Sequence, residues 1–271
     1  MSRWLTKRDR EICHHIYDHS VLTAIQISKL HFPTLRGAEK RLKKLYERRL
    51  LDRFQPQVQF GSAPYHYILD ELGMRVVAAD RGLDLKRVRQ RLQMDLDIPA
   101  RSHLYHQLEV NDFFINLIKA RRDSEGQYEL VRWWNEKRCK QAWKGIVTPD
   151  GLGELSWSKG SVTFLLELDR GTERGQRLAE KLVFYRRFGS MRLGPEVLLF
   201  LFPSLDRELH ARRALESVEG LSVATSYREA YELDPLGPVW LPVEIDVSDD
   251  TRRRRVTELA SRGEVSGDRD G

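Results

Sequence analysis

The sequence predicts an α+β chain of two domains, an N-terminal winged helix-turn-helix followed by an α/β domain, and three observations carry that prediction. The first 80 residues hold three helical patterns followed by two strand-like runs; beyond residue 100, helical and strand patterns alternate. The charge is segregated in the same way. Residues 1–100 carry 19 Lys+Arg against 12 Asp+Glu, a net of +7, whereas residues 101–271 carry 27 against 28, a net of −1. Positive charge confined to one half marks a local surface for a polyanion, because phosphates are held strongly only where cations are concentrated.

The helices of the first half are legible from their caps. Thr6 with Asp9 three residues on starts helix one, and Ile12 and Ile16 give it an apolar stripe to about Asp18. Thr23-Ala24-Ile25-Gln26 is a capping box for a short second helix with Ile27 and Leu30, which Pro33 ends. Thr34 caps a third helix whose apolar positions Leu35, Ala38, Leu42 and Leu45 recur at steps of three and four. Leu50–Phe54 and Tyr65–Leu69 read as two strands around a loop with Pro56, Gly61 and Pro64.

The third helix is the predicted reader of duplex DNA. Its polar face carries Arg36, Lys40, Arg41, Lys43, Lys44, Arg48 and Arg49 against Glu39 and Glu47. A basic helix face is more often simply solvated, but two capped helices before it and a hairpin after it form the order in which a third helix enters the major groove. The wing has Gln55, Gln57 and Gln59 in place of arginines. Asp70 to about Asp97 reads as helical, either a connector or a dimerising element, so a homodimer is one expectation. The resulting boundaries are 1–80 for the winged helix, 81–100 for a helical connector with its seam at Ile98-Pro99-Ala100, 101–247 for the α/β domain, and 248–271 for a disordered tail that adds charge through Arg252–Arg255.

Composition narrows the class. Apolar residues make up 41% and charged residues 32%, enough to bury a core and too apolar for disorder. No apolar run approaches the roughly 20 residues that span a bilayer, and Met1-Ser2-Arg3-Trp4 lacks the apolar core of a signal peptide, so the expected compartment is the cytoplasm without a membrane partner. Cys13 and Cys139 lack metal spacing and read as ordinary thiols.

In the second half, His103 to about Arg122, Thr172–Phe188 and Leu205–Ser217 read as helices, and Tyr128–Trp134, Val162–Asp169 and Glu196–Phe202 as strands. The period of two in Glu167-Leu168-Asp169 puts both acids on one face of a strand end, and Pro149-Asp150 offers a third acid that a neighbouring strand can bring close. Asp150, Glu167 and Asp169 would together suit Mg²⁺ or Mn²⁺ for phosphodiester hydrolysis. For an isolated E-x-D the commoner outcome is solvation or pairing with a nearby base such as Arg170 or Arg174.

Pro149-Asp150, the run Glu167-Leu168-Asp169-Arg170-Gly171-Thr172-Glu173, Lys181 and Tyr185 resemble the C-terminal part of the replication-relaxation family, found on plasmids and integrative elements of Gram-positive bacteria. The resemblance extends to His106 with Val110-Asn111 and to Asp234–Trp240. It implies a restriction-endonuclease-like second domain, similar to the PD-(D/E)xK nucleases, with Asp150 and Glu167 as metal ligands. The motif lysine is replaced by Asp169, and Lys181 is the substitute the resemblance offers, with His106 and Glu109 as further residues of the cleft. Three functions follow as expectations: a DNA-binding accessory factor of plasmid or mobile-element replication or mobilisation with a degenerate nuclease-like domain, favoured slightly; an active metal-dependent endonuclease or nickase; and a winged-helix transcriptional regulator.

Overall fold

The computed structural model describes residues 4–57, 61–96, 101–124, 126–171, 175–218, 220–245 and 252–259, apart from residues 191–194. The chain forms two compact units, residues 1–115 and 116–271. Among the described residues no helix is long and apolar enough to cross a membrane.

The first unit begins with α1 (Lys7–His19), which starts at the Thr6–Asp9 capping box. After the two-residue strand β1 (Leu22–Thr23) comes α2 (Ala24–His31), started by the Thr23–Gln26 box. Then follow α3 (Leu35–Glu47), capped by Thr34, and the strands β2 (Leu51–Phe54) and β3 (His66–Leu69). The three strands form an antiparallel sheet in the order β1-β3-β2, with Tyr67 facing Leu22 on one side and Arg53 on the other. Ile12, Ile16, Ile27, Leu42, Leu45 and Tyr67 form its buried interior. Gln59, at the wing tip, lies outside the described residues.

The helix expected over 70–97 is two helices, α4 (Glu71–Arg81) and α5 (Leu85–Leu96). Gly82 in the left-handed region, φ 63°, ends the first. Val88 and Leu92 of α5 are buried. The next helix, α6 (Arg101–Asp123), is tied by its first half to the first unit, where Gln26 Nε2 donates to the Leu108 carbonyl at 2.9 Å and Asn111 Nδ2 to the Val21 carbonyl at 3.1 Å. The seam read at Ile98–Ala100 lies outside the described residues.

The second unit is built on a six-stranded sheet. Its elements are β4 (Tyr128–Asn135), α7 (Glu136–Ala142), β5 (Gly151–Trp157), β6 (Gly160–Leu168), α8 (Gly175–Ser190), β7 (Val197–Phe202), α9 (Leu205–Arg212), β8 (Ser222–Tyr227), α10 (Arg228–Leu233), β9 (Leu241–Pro242) and α11 (Val256–Leu259). The strand order is β4-β5-β6-β7-β8-β9. β4, β5 and β6 are an antiparallel meander, β7 and β8 join in parallel after crossover helices, and β9 is antiparallel. β7 reads Val-Leu-Leu-Phe-Leu-Phe and is buried throughout, as a central parallel strand must be. Leu178 and Leu182 of α8 join Leu165 of β6 and Leu198 of β7 in one buried cluster.

β5 escaped the sequence reading because two glycines break its apolar pattern. Gly153 is there because the Cζ end of the Phe164 ring of β6 occupies the space a side chain would need; a Cβ would sit 2.2 Å from Cζ. The register pairs Gly151 with Leu166, which brings Asp150, just before β5, beside the end of β6.

The tail expected to be disordered from 248 is ordered over 252–259. Arg253 reaches into the unit and meets Glu208 of α9 in a two-pronged pair, Nη2 to Oε2 2.8 Å and Nη1 to Oε1 3.2 Å. Trp240 and Arg254 exchange backbone hydrogen bonds, and Val256 and Leu259 are buried. The arginine run is ordered here because a buried carboxylate needs a countercharge.

Candidate functional site

On α3 the sequence separates two faces. Ala38, Leu42 and Leu45 are buried, while Arg36, Lys40, Lys43, Lys44 and Arg48 are exposed. Lys43 lies 3.9 Å from Glu47, and the Arg48 guanidinium sits 4.4 Å over the Trp4 ring. Two arginines counted with this face are engaged elsewhere. Arg41 turns inward to Asp9 of α1 and donates from Nη2 to the Trp4 carbonyl at 3.1 Å. Arg49, with φ 59°, donates to Asp70. Burial pushes the Asp9 carboxyl up, but the bonds from Arg41 and Thr6 outweigh it and hold it below the ordinary value.

The second site is at the C-terminal end of β6. Glu167 is only 4% exposed. Lys181 and Tyr185, one turn apart on α8, both reach it: Lys181 Nζ donates to Oε2 at 2.8 Å and the Tyr185 hydroxyl donates to Oε1 at 2.5 Å. Asp150 accepts the Leu168 N–H at 2.7 Å. Burial, and then the Asp150 charge, push the Glu167 carboxyl up to about 7 against the pull of Lys181 and Tyr185. Burial beside Glu167 also raises the Tyr185 hydroxyl, so it stays a donor. A cleft of about 230 Å³ opens onto this group, with Ile146, Val147 and Phe184 as its apolar wall.

Asp169 does not join them. It is also buried, but Arg207 at the start of α9 donates to its Oδ2 from Nε at 2.8 Å, and Gly171 N–H bonds Oδ1. Arg207 was not visible as a site residue, since nothing local marks it and its partner is 38 residues away. Of the four predicted residues, then, Asp150, Glu167 and Lys181 come together and Asp169 is drawn off. His106 and Glu109 belong to the first unit.

This donor set does not fit the three-acid metal site that the sequence suggested. Both Glu167 oxygens accept hydrogen bonds, Asp150 caps a strand amide and Asp169 is ion-paired. Among the described residues no three His, Cys, Asp or Glu side chains gather as a metal-holding group. Cys13 and Cys139 are buried free thiols.

Comparison with known proteins adds one match. The family model described as replication-relaxation matches residues 14–194, which include α3, Asp150, Glu167 and Lys181. No curated protein and no solved structure matches the chain.

Proposed function

The chain belongs to the replication-relaxation family, and from that premise we propose that it is a DNA-binding accessory factor in the replication or mobilisation of a plasmid or other mobile element. In this reading the first unit is a winged helix-turn-helix with α3 in the major groove, and the second is a nuclease-like domain that has become structural. The observation that carries the DNA reading is the division of α3 into a buried apolar stripe and an exposed row of Arg36, Lys40, Lys43, Lys44 and Arg48. The meander β4–β6, the crossover through α8 and the parallel β7 support the nuclease-like reading of the second unit. The ion pair of Asp169 with Arg207 supports its loss of chemistry, since it removes an acid from the proposed ligand set.

One observation favours a second reading, an active endonuclease or nickase. Asp150 and Lys181 both come to Glu167, and two acids with a lysine are the groups that phosphodiester hydrolysis by this class of fold requires. A transcriptional regulator needs only the first unit and gives the Glu167 centre no task. Supercoiled plasmid incubated with the protein and Mg²⁺ or Mn²⁺ separates the readings. DNA binding without nicking is the expected result; nicking that disappears in Glu167→Ala establishes the enzyme instead. Failure of the protein to bind any DNA would overturn both.

A further inference from the structure

Beside the basic row of α3, where the helix meets the hairpin, the first unit exposes aromatic rings that its core does not use. Tyr46, near the end of α3, is 37% exposed, and Tyr65, just before β3, is 39% exposed. Arg53 of β2 lies between them, its guanidinium 4.5 Å from the Tyr46 ring and 4.1 Å from that of Tyr65. The arginine therefore supports both rings on the face turned toward it, and each tyrosine as a whole keeps more than a third of its surface open to solvent. Phe54, next along β2, is 37% exposed as well and stacks on His66 at 5.2 Å.

Paired duplex DNA offers such rings no free base face, because its bases are stacked on each other and present only their edges in the grooves. An unpaired base has a free face, and a ring that is already immobilised loses little freedom in stacking on it. The nearby cations supply the attraction for the phosphates on either side. We infer that the Tyr46–Arg53–Tyr65 stack receives an unpaired base, so that the preferred ligand is duplex DNA with an adjoining single strand. This rests on the proposal that α3 holds the duplex and specifies the form of DNA it holds.

The test measures fluorescence anisotropy of the full chain with three probes at one salt concentration: a blunt duplex, the same duplex with a single-stranded tail, and the tail strand alone. Tyr46→Leu/Tyr65→Leu keeps apolar cover over Arg53 and removes the aromatic faces; Tyr46→Phe/Tyr65→Phe keeps them. The tailed duplex should bind about tenfold more tightly than the blunt one, the weight of one stacked base. The Leu variant should lose that preference while holding the blunt duplex as before, and the Phe variant should retain it. Equal binding of tailed and blunt duplex by the unaltered protein overturns the inference and leaves the duplex reading standing. So does a Phe variant that loses the preference, since the rings would then not be its source. Absence of binding to all three probes overturns the duplex reading itself.

Discussion

Arg41 and Asp9 join α3 to the start of α1: Arg41 Nε donates to Asp9 Oδ1 at 2.8 Å, and the same carboxylate accepts the Thr6 N–H at 2.8 Å. One acid thus closes a helix cap and anchors the helix proposed to read DNA. Arg41→Ala leaves the Asp9 carboxylate buried without its cation, and should destabilise the protein by roughly 3 kcal/mol in denaturant unfolding. The salt dependence of duplex binding by the folded variant should not change, which distinguishes Arg41 from its exposed neighbours.

Those neighbours are predicted to behave oppositely. Lys40→Ala/Lys43→Ala removes two exposed cations and should leave stability within about 0.5 kcal/mol. Binding to blunt duplex should weaken, and the slope of log K against log salt should fall by about 2, one released counterion for each lost phosphate contact. An unchanged affinity in a gel shift would sink the assignment of α3.

The Glu167 carboxyl is raised from an ordinary 4.5 to about 7 in the folded protein. Between those values the folded state holds a proton that the unfolded chain releases, so this group favours folding most below about 4.5, and that contribution is lost as the pH rises through 7. Glu167→Gln, neutral at every pH, should therefore gain in Tm relative to the parent on going from pH 5 to pH 8, with roughly 3 kcal/mol as the ceiling of the difference. A relative gain that shrinks over that range would refute the assignment.

Arg253→Ala strands Glu208, whose carboxylate is fully buried. The expected loss is about 3–5 kcal/mol, read by thermal or denaturant melting. Arg254→Ala is the control: its side chain is exposed, only its backbone bonds Trp240, and it should cost less than about 0.5 kcal/mol.

Gly153→Ala drives a methyl into the Phe164 ring and should destabilise the second unit by about 1–3 kcal/mol. Adding Phe164→Leu should recover part of that loss in a double-mutant cycle, since the two positions share one space.

What the sequence made legible is what is decided within a few residues. The capping boxes at Thr6 and Thr23, the stop at Pro33 and the apolar stripe of α3 are local, and they gave α1, α2 and α3 in order. Asp150 and Glu167 were also recognisable as a pair, because an acid just before one strand and an acid at the end of the next meet in a simple antiparallel meander. Arg41 was misassigned to the outer face although it stands three residues after Ala38 and four before Leu45, a spacing that places it beside the buried stripe. Arg207 and Arg253 could not be found in this way. Each is chosen by a buried acid far along the chain, and charge composition alone reads them as surface. The split between α4 and α5 was marked by Gly82, whose weight as a helix stop a continuous polar pattern conceals.

The pairing of Glu208 with an arginine 45 residues downstream also bears on biosynthesis. A chain emerging from the ribosome presents its first unit, with the countercharge for Asp9 already made, well before Arg253 has been translated. Until then the Glu208 carboxylate lacks its two-pronged partner, and the contacts of segment 252–259 with the second unit cannot form. A chain cut ahead of that segment would keep every residue of α3 and lose the cation that Glu208 pairs with in two prongs.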